Sequence, residues 1–101
     1  MESYYPLFRW LQQQPGRELR LTFGQIEEIL KRPLPSSAKL HAAWWANEDP
    51  EKTRHVQCRA WRLAGWRASA QIIGGLVTFS REGAAPLAPS ALLGRDEFDK
   101  P

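Results

Sequence analysis

Residues 66–81, WRASAQIIGGLVTFSR, alternate apolar and polar side chains about the pair Gly74-Gly75. In a strand, successive side chains point to opposite faces, and two adjacent glycines suit a tight two-residue turn. The stretch therefore predicts an antiparallel hairpin that pairs Ile73 with Leu76, Ile72 with Val77 and Ala70 with Phe79. Trp66, Ala68, Ala70, Ile72, Val77 and Phe79 then share one apolar face, with Arg67, Ser69, Gln71, Thr78 and Ser80 on the other. That apolar face needs a cover, which the upstream segments must supply.

Those segments read mainly as helices. YYPLFRWLQQQ places Leu7, Phe8 and Leu11 at helical spacing, tolerates Pro6 in its first turn, and stops at Pro15-Gly16. ELRLTF alternates, with Leu19 and Leu21 on one side, and predicts a short strand able to extend the hairpin sheet. Thr22 and Gln25 form a capping box for a helix that buries Phe23, Ile26, Ile29 and Leu30. Glu27 and Glu28 are read as solvated on that helix, because adjacent residues do not face one another. After the turn KRPLPSS, residues 36–46 read as a third helix, apolar on most sides through Ala38, Leu40, Ala42, Trp44 and Trp45. Asn47 and Pro50 interrupt the chain before the next element.

Taken as a helix from Lys52 to Ala64, TRHVQCRAWRLAG divides into two arcs. Val56, Ala60, Trp61, Leu63 and Ala64 make an apolar arc, and Lys52, His55, Arg59 and Arg62 follow one another on the opposite side. Gly65 is a natural stop. The expected fold class is α+β and winged-helix-like, its helices packed on a C-terminal β-hairpin in a two- or three-stranded antiparallel sheet. One such domain over residues 1–81 accounts for the periodic part of the chain. Residues 82–101, rich in Ala, Pro, Gly and acidic residues, read as a disordered acidic tail.

Charge narrows the function. The chain carries a net charge of +3, yet residues 52–81 hold Lys52, Arg54, Arg59, Arg62, Arg67 and Arg81 and no carboxylate. A basic stretch of this kind is expected where a protein meets a polyanion. In a winged helix the last helix enters the major groove and the hairpin touches the backbone. On that reading the candidate DNA-binding residues are Ser37, Lys39, Lys52, Arg54, His55, Gln57, Arg59, Arg62, Arg67 and Arg81. Arg and Lys neutralise phosphates, and Arg also fits the O6 and N7 atoms of guanine. The partner expected is double-stranded DNA in a regulatory or DNA-processing role, and a homodimer would predict a palindromic site. The rival is a protein-interaction module, antitoxin-like or an adaptor, whose basic face meets an acidic partner.

Other classes fit less well. Cys58 lies three residues after His55, but no orienting group or oxyanion site accompanies them, so no enzyme is expected. Neighbouring arginines would make the thiol oxidisable. His41, His55 and Cys58 fall short of the four ligands and the spacing that zinc requires, and no cofactor motif is present. Trp44, Trp45, Trp61 and Trp66 suit a core better than a base-binding pocket. No apolar run reaches the length of a membrane span, the N-terminus lacks a secretory pattern, and one cysteine forms no internal disulfide. A cytoplasmic protein is expected.

The segments LTFGQIEEILKRPLPSSA, WWAN, His55-x-Gln57 and AWRLAGW together resemble an uncharacterised bacterial small-domain family over about residues 4–81. The resemblance implies a small bacterial protein or module, found alone or joined to other domains, and carries no established activity. Its pattern commonly has Gly where this chain has Lys31.

Overall fold

The computed structural model describes residues 3–81 together with 94, 98 and 99. Helix α1 (Tyr5–Gln12) leads to strand β1 (Glu18–Thr22), helix α2 (Phe23–Leu30) and the short helix α3 (Ser36–Leu40). A 3-10 turn (Ala42–Trp45), helix α4 (Val56–Arg62) and strands β2 (Trp66–Gln71) and β3 (Leu76–Arg81) follow. The fold class is α+β, with a three-stranded antiparallel sheet in the order β1-β3-β2. The strand expected near 19–21 is thus real, and it pairs with β3 through Leu19↔Phe79 and Leu21↔Val77.

One sheet face is apolar, as the alternation requires. Leu21, Trp66, Ala68, Val77 and Phe79 are buried against Leu7, Phe8 and Leu11 of α1, Ile26 and Leu30 of α2, and Trp61 of α4 in a single core. The loop of the hairpin differs from the expected two-residue turn. Gln71 pairs with Leu76 and Ala70 with Val77, so Ile72–Gly75 form the loop and Ile73 is 96% exposed. A shift of two residues keeps every side chain on its expected face, which is why the core assignment survives. The wider loop has a tertiary cause. The carbonyl of Gly75 accepts from the amide of Phe23 (2.9 Å), satisfying an N–H that the first turn of α2 leaves without a partner. Gly75 has φ +64°, and a Cβ there would sit 3.3 Å from the Phe23 ring.

The capping box forms in full. Thr22 Oγ1 accepts from the Gln25 amide, and the Gln25 side chain accepts from the Thr22 amide. Ile26 and Leu30 are buried, while Phe23 and Ile29 are half-buried. At the far end Lys31 adopts a left-handed conformation (φ 63°), where its amide donates to the Glu27 carbonyl.

The single helix expected over 36–46 is broken. His41 is extended (φ −130°, ψ 118°), and the indole of buried Trp45 donates to the carbonyl of Ala38 at 2.8 Å. In a continuous helix the amide of residue 42 would take that carbonyl. Leu40, expected in the core, is therefore left 66% exposed at the helix end.

Helix α4 likewise starts at Val56 and not at Lys52. The amides of Lys52 and Thr53 both donate to the Asp49 carbonyl, and Thr53 Oγ1 accepts from the His55 amide. Glu48 accepts from the Thr53 hydroxyl and hydrogen-bonds the His55 ring. These bonds hold 48–55 as a loop, and Val56, expected on the apolar arc, is 54% exposed at the first helical position. Most of the expected disordered tail (82–93, 95–97, 100 and 101) lies outside the described residues. Phe98 is described, and it is buried against Tyr5 and Phe8.

Candidate nucleic-acid interface

Helix α4 was expected to expose a basic row, but its side chains serve packing on three sides. Cys58, Ala60 and Trp61 are buried, and the helix lies against α1 and β2. Gln57 reaches back to donate to the Trp44 carbonyl at 3.1 Å. Arg59 donates from Nη1 to the Pro50 carbonyl (2.6 Å), and its guanidinium lies 5.8 Å from the centre of the Phe98 ring. Arg62 is half-buried. Since Lys52 and His55 precede the helix, the row of Lys52, His55, Arg59 and Arg62 on one helical face does not form.

Arg81 is also engaged internally. Its guanidinium lies 4.3 Å from the Trp66 ring centre and donates to the carbonyls of Gly16 (2.9 Å) and Gln14 (2.6 Å). Trp66 in turn donates from its indole to the Leu11 carbonyl, so this corner ties the end of α1 to the sheet. Both arginines donate to carbonyls of residues outside the helices and strands, which is a structural use of the fork-shaped guanidinium.

The remaining candidates face outward. Ser37 and Lys39 are exposed on α3, where Lys39 Nζ lies 2.9 Å from Glu27 Oε2. Lys52, Arg54 and His55 are exposed around the 48–55 loop. Arg67 is exposed on the polar sheet face, where its own row carries Ser80 and Glu18 and the next row Ser69, Thr78 and Arg20, the last paired with Glu18 at 3.6 Å. Ser36 beside Ser37 is exposed too, and the end of α3 also exposes Leu40 and His41, which the sequence does not mark as contacts. Their exposure follows from the break at His41, which periodicity alone does not reveal.

Two carboxylates hold this surface in shape. Bonds to Lys39 and to the Leu34 amide, with the Lys39 charge, depress the pKa of Glu27 despite partial burial. The Thr53 hydroxyl, then the His55 ring, depress that of Glu48. Cys58 is different. Burial raises its pKa more than Thr53 and the Arg62 charge lower it, so the thiol is held protonated, contrary to the oxidisable thiol expected from the neighbouring arginines. Its Sγ–H points to the His55 carbonyl at 3.4 Å.

Asn47 joins this loop to the sheet. Its Oδ1 accepts from the Ala68 amide (2.7 Å) and the Trp61 indole (3.0 Å), and its Nδ2 donates to the Ala68 carbonyl (2.8 Å). The side chain thus imitates a neighbouring strand on the outer edge of β2. Trp45 and Trp61 stack at 5.5 Å, and Trp44 meets Trp45 edge-on at 4.7 Å, so the tryptophans fill the space beneath this loop. A separate open groove of about 550 Å³ between α1 and α2 is lined by Trp10, Leu21, Ile29 and Glu28. It contains none of the candidate residues. Among the described residues no three His, Cys, Asp or Glu side chains gather at metal-binding distance, and no helix is long and apolar enough to cross a membrane.

Fold and surface together define a small α+β domain whose exposed cations are spread over α1, α3, the loops and the open sheet face. The chain belongs to the family described as Domain of unknown function (DUF7662), whose model matches residues 4–83. No curated protein and no solved structure matches the chain.

Proposed function

We propose that the domain binds duplex DNA in the manner of a winged helix, with α2 and α3 as the helix-turn-helix pair and the β2–β3 hairpin as the wing. The observation that carries this reading is the connectivity. Strand β1 leads into α2, turn and α3, and after the inserted 3-10 turn and α4 the sheet closes in the order β1-β3-β2 with the hairpin last. In this arrangement the helix after the turn is the one presented to the major groove. That helix is α3, with Ser36, Ser37, Lys39 and Leu40 on its surface, in place of α4, which the core occupies. Exposed Lys52, Arg54 and Arg67 supply the phosphate contacts of this reading. Arg59 and Arg81 act in the fold instead.

A titration of labelled random duplex, followed by fluorescence anisotropy at several salt concentrations, tests this reading. Log K is expected to fall steeply with log salt, and Lys52→Ala, Arg54→Ala or Arg67→Ala to reduce the slope by about one each. Arg81→Ala is expected to lower thermal stability. No binding to duplex even at low salt would reject the reading. It would favour the rival, a protein-interaction module with an acidic partner, for which exposed Leu40 and Val56 offer apolar contact points.

A further inference from the structure

Phe98 is 3% exposed, although it sits in a charged sequence, RDEFDK, beyond the span matched by the family. Its ring stacks on Phe8 at 5.0 Å, meets Tyr5 edge-on at 5.6 Å, and lies under the Arg59 guanidinium. The Phe98 amide donates to the Gly94 carbonyl, four residues back, at 3.0 Å. The next residue, Asp99, accepts from the Ser3 hydroxyl at 2.7 Å.

We propose that this face of α1 and α4 is a peptide-docking site for a short acidic segment bearing a phenylalanine, and that the chain's own C-terminal segment fills it in cis as a removable plug. Three observations separate a plug from a core residue. First, every other described member of the buried cluster, from Leu7 to Phe79, comes from within the family-matched span. Second, the pocket has the parts of a recognition site: two aromatic rings for the phenylalanine, a cation on the ring face and a hydroxyl donor for the adjoining carboxylate. Third, among the described residues the buried Nε of Arg59 has no hydrogen-bond partner, so this wall of the pocket keeps an unused donor. The charges agree, since Asp96, Glu97 and Asp99 flank Phe98 in the sequence and residues 52–81 contain no acid. A tether to the same chain presents the segment at an effective concentration on the order of millimolar, so a weak intrinsic contact suffices to keep the pocket filled. The site is independent of the DNA-binding reading.

The test uses the full chain, wild type and Phe98→Ala, with a fluorescent peptide of residues 94–101 added in trans. Phe98→Ala is expected to stay folded by circular dichroism and to bind the peptide. Wild type is expected to bind it about tenfold more weakly, because its own segment competes. A peptide carrying Phe98→Ala is expected to bind neither protein, and Arg59→Ala in the Phe98→Ala chain to weaken binding of the native peptide. Loss of folding in Phe98→Ala would make Phe98 a core residue and overturn the proposal. Equal binding by both proteins, or no binding by a folded Phe98→Ala chain, would also overturn it.

Discussion

Lys31 offers a direct measurement of local strain. It ends α2 at φ 63° and ψ 28°, a left-handed conformation in which Cβ crowds the backbone of any residue except glycine. Its amide and that of Arg32 both donate to the Glu27 carbonyl, so the conformation is fixed by the helix end and cannot relax without losing these bonds. Lys31 is exposed, and among the described residues its side chain has no hydrogen bond or ion pair that would offset the strain. The left-handed region costs a non-glycine residue about 1–2 kcal/mol. Glycine gives back about 0.4–1 kcal/mol through the larger freedom of its unfolded chain. Lys31→Gly is therefore expected to stabilise the protein by about 0.5–1 kcal/mol, which in a domain of this size raises Tm by about 3–5 °C. Lys31→Ala removes the same charge and the same long side chain but keeps Cβ, and is expected to stay within about 0.5 kcal/mol of wild type. Thermal and urea unfolding of the three proteins at one pH and salt concentration decide the matter. A glycine variant no more stable than the alanine variant would refute the strain argument.

Asn47→Ala removes three hydrogen bonds and leaves the Ala68 amide and the Trp61 indole without partners, so urea unfolding is expected to show a loss of about 2–4 kcal/mol. Glu27 has a folded pKa below the ordinary glutamate value, so its contribution to stability is complete above that value and is lost as pH falls through the depressed one. Glu27→Gln is accordingly expected to destabilise the protein at neutral pH and to flatten the acid limb of a Tm-against-pH profile. Cys58, buried and with a raised pKa, is expected to react with a thiol reagent at neutral pH only after unfolding, and rapid native-state labelling would contradict the burial.

The elements whose signals are local came through in the sequence. The capping box at Thr22 and Gln25, the alternation of β2 and β3, and the apolar spacing of Leu7, Phe8 and Leu11 each depend on residues close together in the chain. The errors arose where a distant group intervened. Gly75 closes the hairpin in a wider loop because its carbonyl serves α2, and α3 stops early because Trp45 takes the carbonyl of Ala38. The candidate interface suffered most from this. A run of arginines without acids looks the same whether the guanidinium groups face solvent or backbone, and composition cannot show that Arg59 and Arg81 find carbonyls and aromatic rings inside the fold. A guanidinium carries five donors, so a carbonyl-rich corner can engage it without any carboxylate. The absence of acids from 52–81 therefore has two physical causes. Around Arg59 and Arg81 the fold supplies the acceptors itself, whereas Lys52, Arg54 and Arg67 are exposed. Only exposed cations can reach a polyanion, so the proposed DNA contact rests on that second group, and a shallower salt dependence in those three variants is the observation that tests it.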